Sequence, residues 1–279
     1  MISGFDLDDF VNRVLAEDLG VGGDVTSAAT ISADARFAAK LAARVPIVVA
    51  GLDIAAAFFK ALDPKVEIEK LAGDGDRAQT EAVLMRLTGN ARAMLAAERS
   101  ALNMLQHLSG IATLTGRYVD AIAGTGATLL DTRKTIPGLR VLEKYASLMG
   151  GAENHRMRLD DGVLIKDNHV AVAGGVGAAV RSAKAAGTGL QVQVEVDRIE
   201  QIEEALEAGA DRLLLDNMDV PKLRRAVELV GGRVPLEASG GVRLETIRAI
   251  AESGVDYISV GRITQSAPAV DIGMDYSPG

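Results

Sequence analysis

The chain has 279 residues, with 30 Lys+Arg against 38 Asp+Glu for a formal net charge of −8, 48% hydrophobic residues and 3% aromatic. This composition excludes a disordered chain, and the length supports a substantial core as one barrel or as two domains of roughly 100 to 200 residues. With no Cys there is no disulfide, thiolate nucleophile, iron–sulfur cluster or Cys-based zinc site. The three histidines, His107, His155 and His169, form no paired metal motif, so any metal is expected to be held by oxygen. The acidic balance and the few stacking platforms (five Phe, four Tyr, no Trp) argue against nucleic acid. No apolar run reaches the ~18 to 20 residues of a membrane span, and the acidic start MISGFDLDDF is unlike a basic signal peptide, which points to a cytoplasmic protein.

From Asp34 to Thr88 four short runs read as strands: Phe37 to Ala43, Ile47 to Ala50, Val66 to Leu71 and Ala82 to Leu87. Turn signals such as Asp63-Pro64 and Gly73-Asp74-Gly75-Asp76 separate them, as in a small α+β domain. Asn90 is placed to cap a helix running to about Ser109, with Ala91, Met94, Leu95, Ala101, Leu102, Leu105 and Leu108 on one stripe. Glu98 falls inside that stripe and Arg99 on its edge. Buried charges need partners, supplied either by a helix-edge ion pair or by another surface or ligand.

After Gly124 a unit repeats: an apolar run ending in a polar residue, a helical stretch, then Gly. The runs are Ala127 to Thr132, Val163 to Asp167, Leu190 to Asp197, Leu213 to Asn217, Val234 to Ser239 and Tyr257 to Gly261. Spacings of roughly 20 to 35 residues suit βα units building a parallel sheet. Ile199, Ile202, Ala205 and Leu206 share one helical face, closed by Gly209. Six strands fit either an incomplete barrel or an open doubly wound sheet.

In both architectures function gathers at the carboxyl ends of the strands. Those ends carry Asp131, Arg133 and Lys134; Lys166 and Asp167; Glu195 and Asp197; Asp216; Glu237 and Ser239. Between Thr132 and Arg158, six basic residues (Arg133, Lys134, Arg140, Lys144, Arg156, Arg158) face two acidic ones (Glu143, Glu153), beside His155. Such a stretch is either a solvated basic face or a site for a polyanion, since guanidinium forks match carboxylates and Lys offers a compact charge. Ser239-Gly240-Gly241 and Gly261-Arg262 follow successive strands, as tight turns or as phosphate loops whose backbone N–H groups approach oxygens. No Gly precedes Lys and no G-x-G-x-x-G opens a helix, so the Walker and dinucleotide loops are absent.

The ordered motifs Asp131-Thr132-Arg133-Lys134-Thr135-Ile136-Pro137-Gly138, Lys144-Tyr145-Ala146, Asn154-His155-Arg156 and Leu164-Ile165-Lys166-Asp167-Asn168-His169 resemble the quinolinate phosphoribosyltransferase family. Glu98-Arg99, Glu195-Val196-Asp197, Leu215-Asp216-Asn217, Ser239-Gly240-Gly241 and Asp271-Ile272-Gly273 extend the resemblance over nearly the whole chain. It implies an α/β protein: an N-terminal α+β sandwich-like domain (1–103) followed by an incomplete, open α/β barrel (104–279) whose last residues pack back on the first domain. The implied reaction moves phosphoribosyl from phosphoribosyl pyrophosphate to quinolinate with loss of CO₂ and pyrophosphate, giving nicotinate mononucleotide in de novo NAD synthesis.

The resemblance also assigns roles. Arg99, Arg133, His155, Arg156 and Lys166 would hold quinolinate, with Arg99 completing the neighbouring site of a homodimer. Lys134, Lys166, Glu195 and Asp216 would serve catalysis. Glu195 and Asp216 would face the ribose and Mg²⁺, and Ser239, Gly240, Gly241 and Gly261 would bind the 5′-phosphate. Gln265 stands where the family commonly has His, and Glu153, Arg158 and Asp160 also depart from its pattern; Glu153 is placed either to raise the His155 pKa or to pair with Arg158. Two other classes stay open: a barrel aldolase or isomerase with Lys166 as Schiff base, and a non-catalytic phospholigand-binding paralogue.

Overall fold

A computed structural model describes residues 4–276. In chain order its strands are β1 (Arg36–Ala43), β2 (Ile47–Val48), β3 (Glu67–Lys70), β4 (Arg77–Ala78), β5 (Val83–Asn90), β6 (Thr128–Leu130), β7 (Val163–Ile165), β8 (Val192–Val196), β9 (Arg212–Asp216), β10 (Leu236–Ser239), β11 (Tyr257–Ser259) and β12 (Ile272–Tyr276). Contacts divide the chain into two units, one holding the described residues of Met1–Gly116, Val141–Gly151 and Ser266–Gly279, the other Arg117–Arg140 and Ala152–Gln265. No helix among the described residues is long and apolar enough to cross a membrane.

The first unit is built on an antiparallel sheet of order β12-β1-β5-β3. The four runs expected from the sequence are strands, while β12 pairs with β1 from more than 200 residues away, with Leu41 opposite Met274. The helix Leu7–Leu19 starts where the Asp6 carboxylate accepts the Asp9 N–H at 3.0 Å, with Asp8 and Asp9 favourably placed in its first turn. It buries Phe10, Val11 and Leu15, and Phe10 meets Phe58 edge-on at 6.3 Å between ring centroids. Phe58 lies on the helix Leu52–Leu62, whose backbone N–H groups at Gly51 and Leu52 donate to the Asp74 carboxylate; that carboxylate also accepts the Tyr145 hydroxyl at 2.6 Å. Burial first, then the Asp74 charge, pushes the Tyr145 phenol well up from its ordinary range.

The helix capped by Asn90, whose side chain accepts the Ala93 N–H at 3.1 Å, runs from Ala91 to Ala121 and not to Ser109. Ser109-Gly110 is no stop signal. A Cβ at Gly110 would overlap the Pro268 carbonyl and lie 3.1 Å from the Ala269 Cα, so this glycine permits close backbone approach. The Ser109 and Thr113 hydroxyls face inward and accept the N–H groups of Ala50 and Val48 at 3.0 and 2.8 Å. The expected apolar stripe is buried apart from half-buried Leu95, and Ala97 joins it.

The second unit contains a parallel six-stranded sheet of order β6-β11-β10-β9-β8-β7. From β7 onward each strand lies beside its predecessor, and β6 returns beside the last, β11. A doubly wound sheet reverses direction from a central strand; this cyclic order is that of a barrel. The gap falls between β6 and β7, where residue Glu153 adds a lone parallel bridge to Leu130. The barrel is therefore open, and the six runs read as strands are its six staves. Along β8 the buried Val192, Val194 and Val196 alternate with Gln193 and Glu195, so one face is apolar and the other polar.

Candidate active site

Asp131, at the end of β6, is fully buried and works as an anchor: its carboxylate accepts the Asn154 side-chain amide at 2.6 Å and the His155 N–H at 2.8 Å. This fixes the stretch 152–156 beside Arg133. Arg156 donates from Nη1 to the Gly162 carbonyl at 2.8 Å, while the Asp161 carboxylate accepts the N–H groups of Met157 and Arg158 and shapes the intervening turn. Burial and then the neighbouring Arg133 charge pull the Arg156 pKa down from its ordinary value. The Nε atoms of Arg133 and Arg156 are both buried without a hydrogen-bond partner. Two guanidiniums repelling each other with unsatisfied donors form a receptor for an anion, and their forks suit carboxylates.

A second group gathers at the ends of β7, β8 and β9. Lys166 lies immediately after β7, its N–H donating to His169 Nδ1 at 3.0 Å and its ammonium 3.2 Å from Glu195 Oε2. Burial raises the Asp216 pKa, against the opposing pull of the Asn217 amide 2.5 Å away and the Lys166 and Lys134 charges. Asn217 takes a left-handed φ of 54°, strain of the sort that persists where function requires it.

The glycine turns complete the ring. Gly240 (φ 90°) and Gly241 (φ 60°) follow Ser239 at the end of β10, and both occupy the region glycine favours. After β11, a Cβ at Gly261 would sit 2.8 Å from Lys134 Cδ. Thr264 donates to the Lys134 carbonyl at 2.7 Å, tying the loop after β6 to the helix Arg262–Gln265. Exposed Gln265 points its Oε1 at the same approach, 3.7 Å from that Gly261 position. Lys134, Lys166, Glu195, Asp216 and the three glycines thus occupy neighbouring strand ends, as a phosphorylated sugar with an anionic leaving group would need.

Several expectations are corrected. Glu237 is not at a strand end; it is the second residue of β10, fully buried inside the barrel. There Gln193 Nε2 donates to its carboxylate at 2.8 Å, Arg212 Nη2 lies 2.8 Å away, and His155 Nε2 lies at 3.5 Å. Burial pushes the Glu237 carboxyl up, yet His155 and Arg212 pull it to a net value below the ordinary range. The basic stretch is no single loop, because Arg140–Met149 is a helix in which Lys144 and Glu143 are fully buried in the first unit. Arg158 pairs with Asp160 at 2.8 Å, and the His155 ring approaches the Glu237 carboxylate at 3.5 Å. On the first unit's long helix Glu98 is half-buried, its carboxyl raised by burial and lowered less by Arg99, while Arg99 itself is exposed. Sequence reasoning missed Arg212, Gln193 and Thr264 because single polar residues inside strands or short helices carry no local signal. Asn217 stands out in the sequence only within the Leu215-Asp216-Asn217 motif, and its contact with the Gly240 turn is set by the fold.

The described residues contain no cluster of three or more His, Asp or Glu suited to a metal. Glu195 and Asp216 nevertheless offer hard oxygen donors, and one or two carboxylates with substrate phosphates is how Mg²⁺ is commonly held.

The chain is similar to known proteins over most of its length. The family model for the Quinolinate phosphoribosyl transferase N-terminal domain matches residues 24–109, and that for its C-terminal domain matches residues 111–275. A nicotinate-nucleotide pyrophosphorylase [carboxylating] of Mycobacterium leprae is 43% identical over 275 residues, covering 96% of each chain. A chloroplastic protein of the same name from Arabidopsis thaliana is 42% identical over 97% of this chain and 82% of its own. The solved nicotinate-nucleotide pyrophosphorylase of Francisella tularensis superposes with a TM-score of 0.93 at 39% identity, over 97% of this chain and 96% of its own.

Proposed function

Because the chain belongs to the quinolinate phosphoribosyltransferase family, we propose that it transfers phosphoribosyl from phosphoribosyl pyrophosphate to quinolinate with decarboxylation, the NAD-synthesis step that yields nicotinate mononucleotide. The observation that carries this for the site is the Arg133 and Arg156 pair with buried, unsatisfied Nε donors, which suits the dicarboxylate. Quinolinate binds there, and Lys166, paired with Glu195, serves both substrates. Ser239, Gly240, Gly241 and Gly261 receive the 5′-phosphate, and Glu195 and Asp216 face the ribose hydroxyls.

The protein contributes positioning and preorganised charge. Lys134 and Lys166 stabilise departing pyrophosphate, and Glu195 stabilises the oxocarbenium-like ribose carbon as the pyridine nitrogen approaches. Glu195 and Asp216 would also hold Mg²⁺, partly through water or substrate, and the ion would offset charge on the pyrophosphate. With its nitrogen alkylated, the ring becomes an electron sink; the adjacent carboxylate leaves as CO₂, its electrons pass to the carbon beside N⁺, and that carbon is then protonated. The two arginines grip the carboxylate that stays. Lys134 and Lys166 are the cations we assign to the charge on that carbon.

Arg99 belongs to the neighbouring site of a homodimer, which accounts for an exposed arginine beside a half-buried Glu98. The acidic, cysteine-free chain suits a cytoplasmic setting. A Schiff-base role for Lys166 has no support in the geometry, since its ammonium is half-exposed and paired with Glu195 rather than desolvated among apolar groups. The test is quinolinate consumption with phosphoribosyl pyrophosphate and Mg²⁺, following nicotinate mononucleotide and CO₂ together, with nicotinate as control. Both products from quinolinate alone are expected; no turnover by the folded protein overturns the assignment.

A further inference from the structure

The fully buried carboxylate of Glu237 takes no part in the chemistry above, yet side chains from several elements converge on it, the Ser259 hydroxyl of β11 among them. Gln193 of β8 donates to it, Arg212 of β9 lies 2.8 Å away, and His155 Nε2 approaches to 3.5 Å. The Arg212 guanidinium is itself held over the Tyr257 ring, 3.8 Å from the centroid. On the far side of the imidazole, His155 Nδ1 accepts the Arg156 N–H at 2.8 Å.

A ring nitrogen that accepts carries no proton, so the His155 proton sits on Nε2 and faces Glu237. We propose that Glu237 is a positioning residue: it holds His155 as the neutral Nε2–H tautomer, so that His155 bonds no substrate carboxylate and instead fixes the turn that aims Arg156 at one. This rests on Arg156 as a quinolinate ligand and reassigns only His155. Protonating Nδ1 would set an N–H against the Arg156 N–H. The groups facing the pair are Glu237 on β10, Arg212 on β9, Gln193 on β8, the Ser259 hydroxyl on β11, Arg156 beside the ring, and Asp131, which accepts the His155 backbone N–H. With His155 neutral, Arg212 and Glu237 cancel, as burial favours.

A carboxylate only accepts, so it selects one tautomer; an amide can also donate to a bare Nε2 and permits both. The experiment is long-range ¹H–¹⁵N correlation on ¹⁵N-histidine-labelled protein at pH 7, alongside initial rates. The chain has three histidines, and loss of one spin system in His155→Gln identifies this one. Expected are the Nε2–H pattern in the native protein and a tautomer mixture in Glu237→Gln. The same variant should raise KM for quinolinate about 10-fold, with kcat within about 3-fold and KM for phosphoribosyl pyrophosphate unchanged. An imidazolium or an Nδ1–H pattern in the native protein overturns the proposal, and so does an unchanged KM for quinolinate in a folded Glu237→Gln variant. Should that variant fail to fold, the native spectrum alone decides. Absence of any native turnover with quinolinate counts against the activity, while the spectrum still reads the Glu237 and His155 pairing.

Discussion

Gly240 leaves no space for a side chain beside Asn217: a Cβ there would lie 2.6 Å from the Asn217 Cγ and 2.9 Å from its backbone nitrogen. The Asn217 N–H also donates to the Ser239 carbonyl at 2.9 Å, so the two loops close on each other. Gly240→Ala combines overlap with a disfavoured φ of 90°, at a cost on the order of 1 to 3 kcal/mol. The expected result is a KM for phosphoribosyl pyrophosphate raised about 10-fold or more, with KM for quinolinate little changed, since the strain is released into the phosphate turn. Equal losses for both substrates would show that the two loops do not act separately.

The buried Asp216 carboxyl opposes folding when it is ionised. Its carboxyl pKa is raised by burial, so the associated stability is present below the unfolded value of about 3.9 and is lost as pH rises through the folded value. At neutral pH the ionised group therefore weighs against folding. Asp216→Asn should raise Tm at pH 7 and leave it nearly unchanged at pH 3, while lowering kcat by about 10²-fold or more. A lower Tm at pH 7 would contradict the burial argument.

Gly110 lies inside a helix, where replacement by Ala ordinarily stabilises by ~1 kcal/mol. Here the added methyl meets the Pro268 carbonyl, and Gly110→Ala should instead destabilise by about 1 to 3 kcal/mol in urea titration. A stabilised variant would mean that the 266–270 segment yields easily.

Lys134 and Lys166 are the cations proposed to stabilise the carbanion. In Lys134→Ala and Lys166→Ala, CO₂ release and pyrophosphate release should slow by different factors, on the order of 10-fold to 10²-fold overall. If both release rates match the native protein, neither lysine serves the decarboxylation.

Arg99 as a contribution to the neighbouring site is tested by mixing. Arg99→Ala and Lys166→Ala are each expected to lose most of the native activity. When they are unfolded and refolded together, half of the dimers are mixed and each has one intact site, so activity should return to about a quarter of native. No recovery despite dimer formation would mean that Arg99 serves its own subunit or none.

Much was legible before any folding was considered. The six barrel strands announce themselves as apolar-rich runs with a polar residue at the carboxyl end, because a sheet face covered by helices must be apolar and the chain leaves the core where each strand ends. The motif residues around Arg133, Lys166 and Asp216 are legible for the same reason: they occur where the chain exits the barrel. The missed features depend on contacts distant in sequence. Gly110 reads as a helix stop until Pro268 is seen against it, and Lys144 reads as a ligand charge until its helix is found buried.

From the sequence alone came the chemical class, the family, the parallel βα units and the positions of the basic clamp, since residue type, spacing and periodicity are local properties. The three-dimensional arrangement decided what those properties leave open. The cyclic strand order chose a barrel over a doubly wound sheet, and β12 was recruited to β1 from the far end of the chain. Glu237 was turned inward to face His155. Each of these is a pairing between distant residues, and such pairings are set by which surfaces the whole chain can bury together.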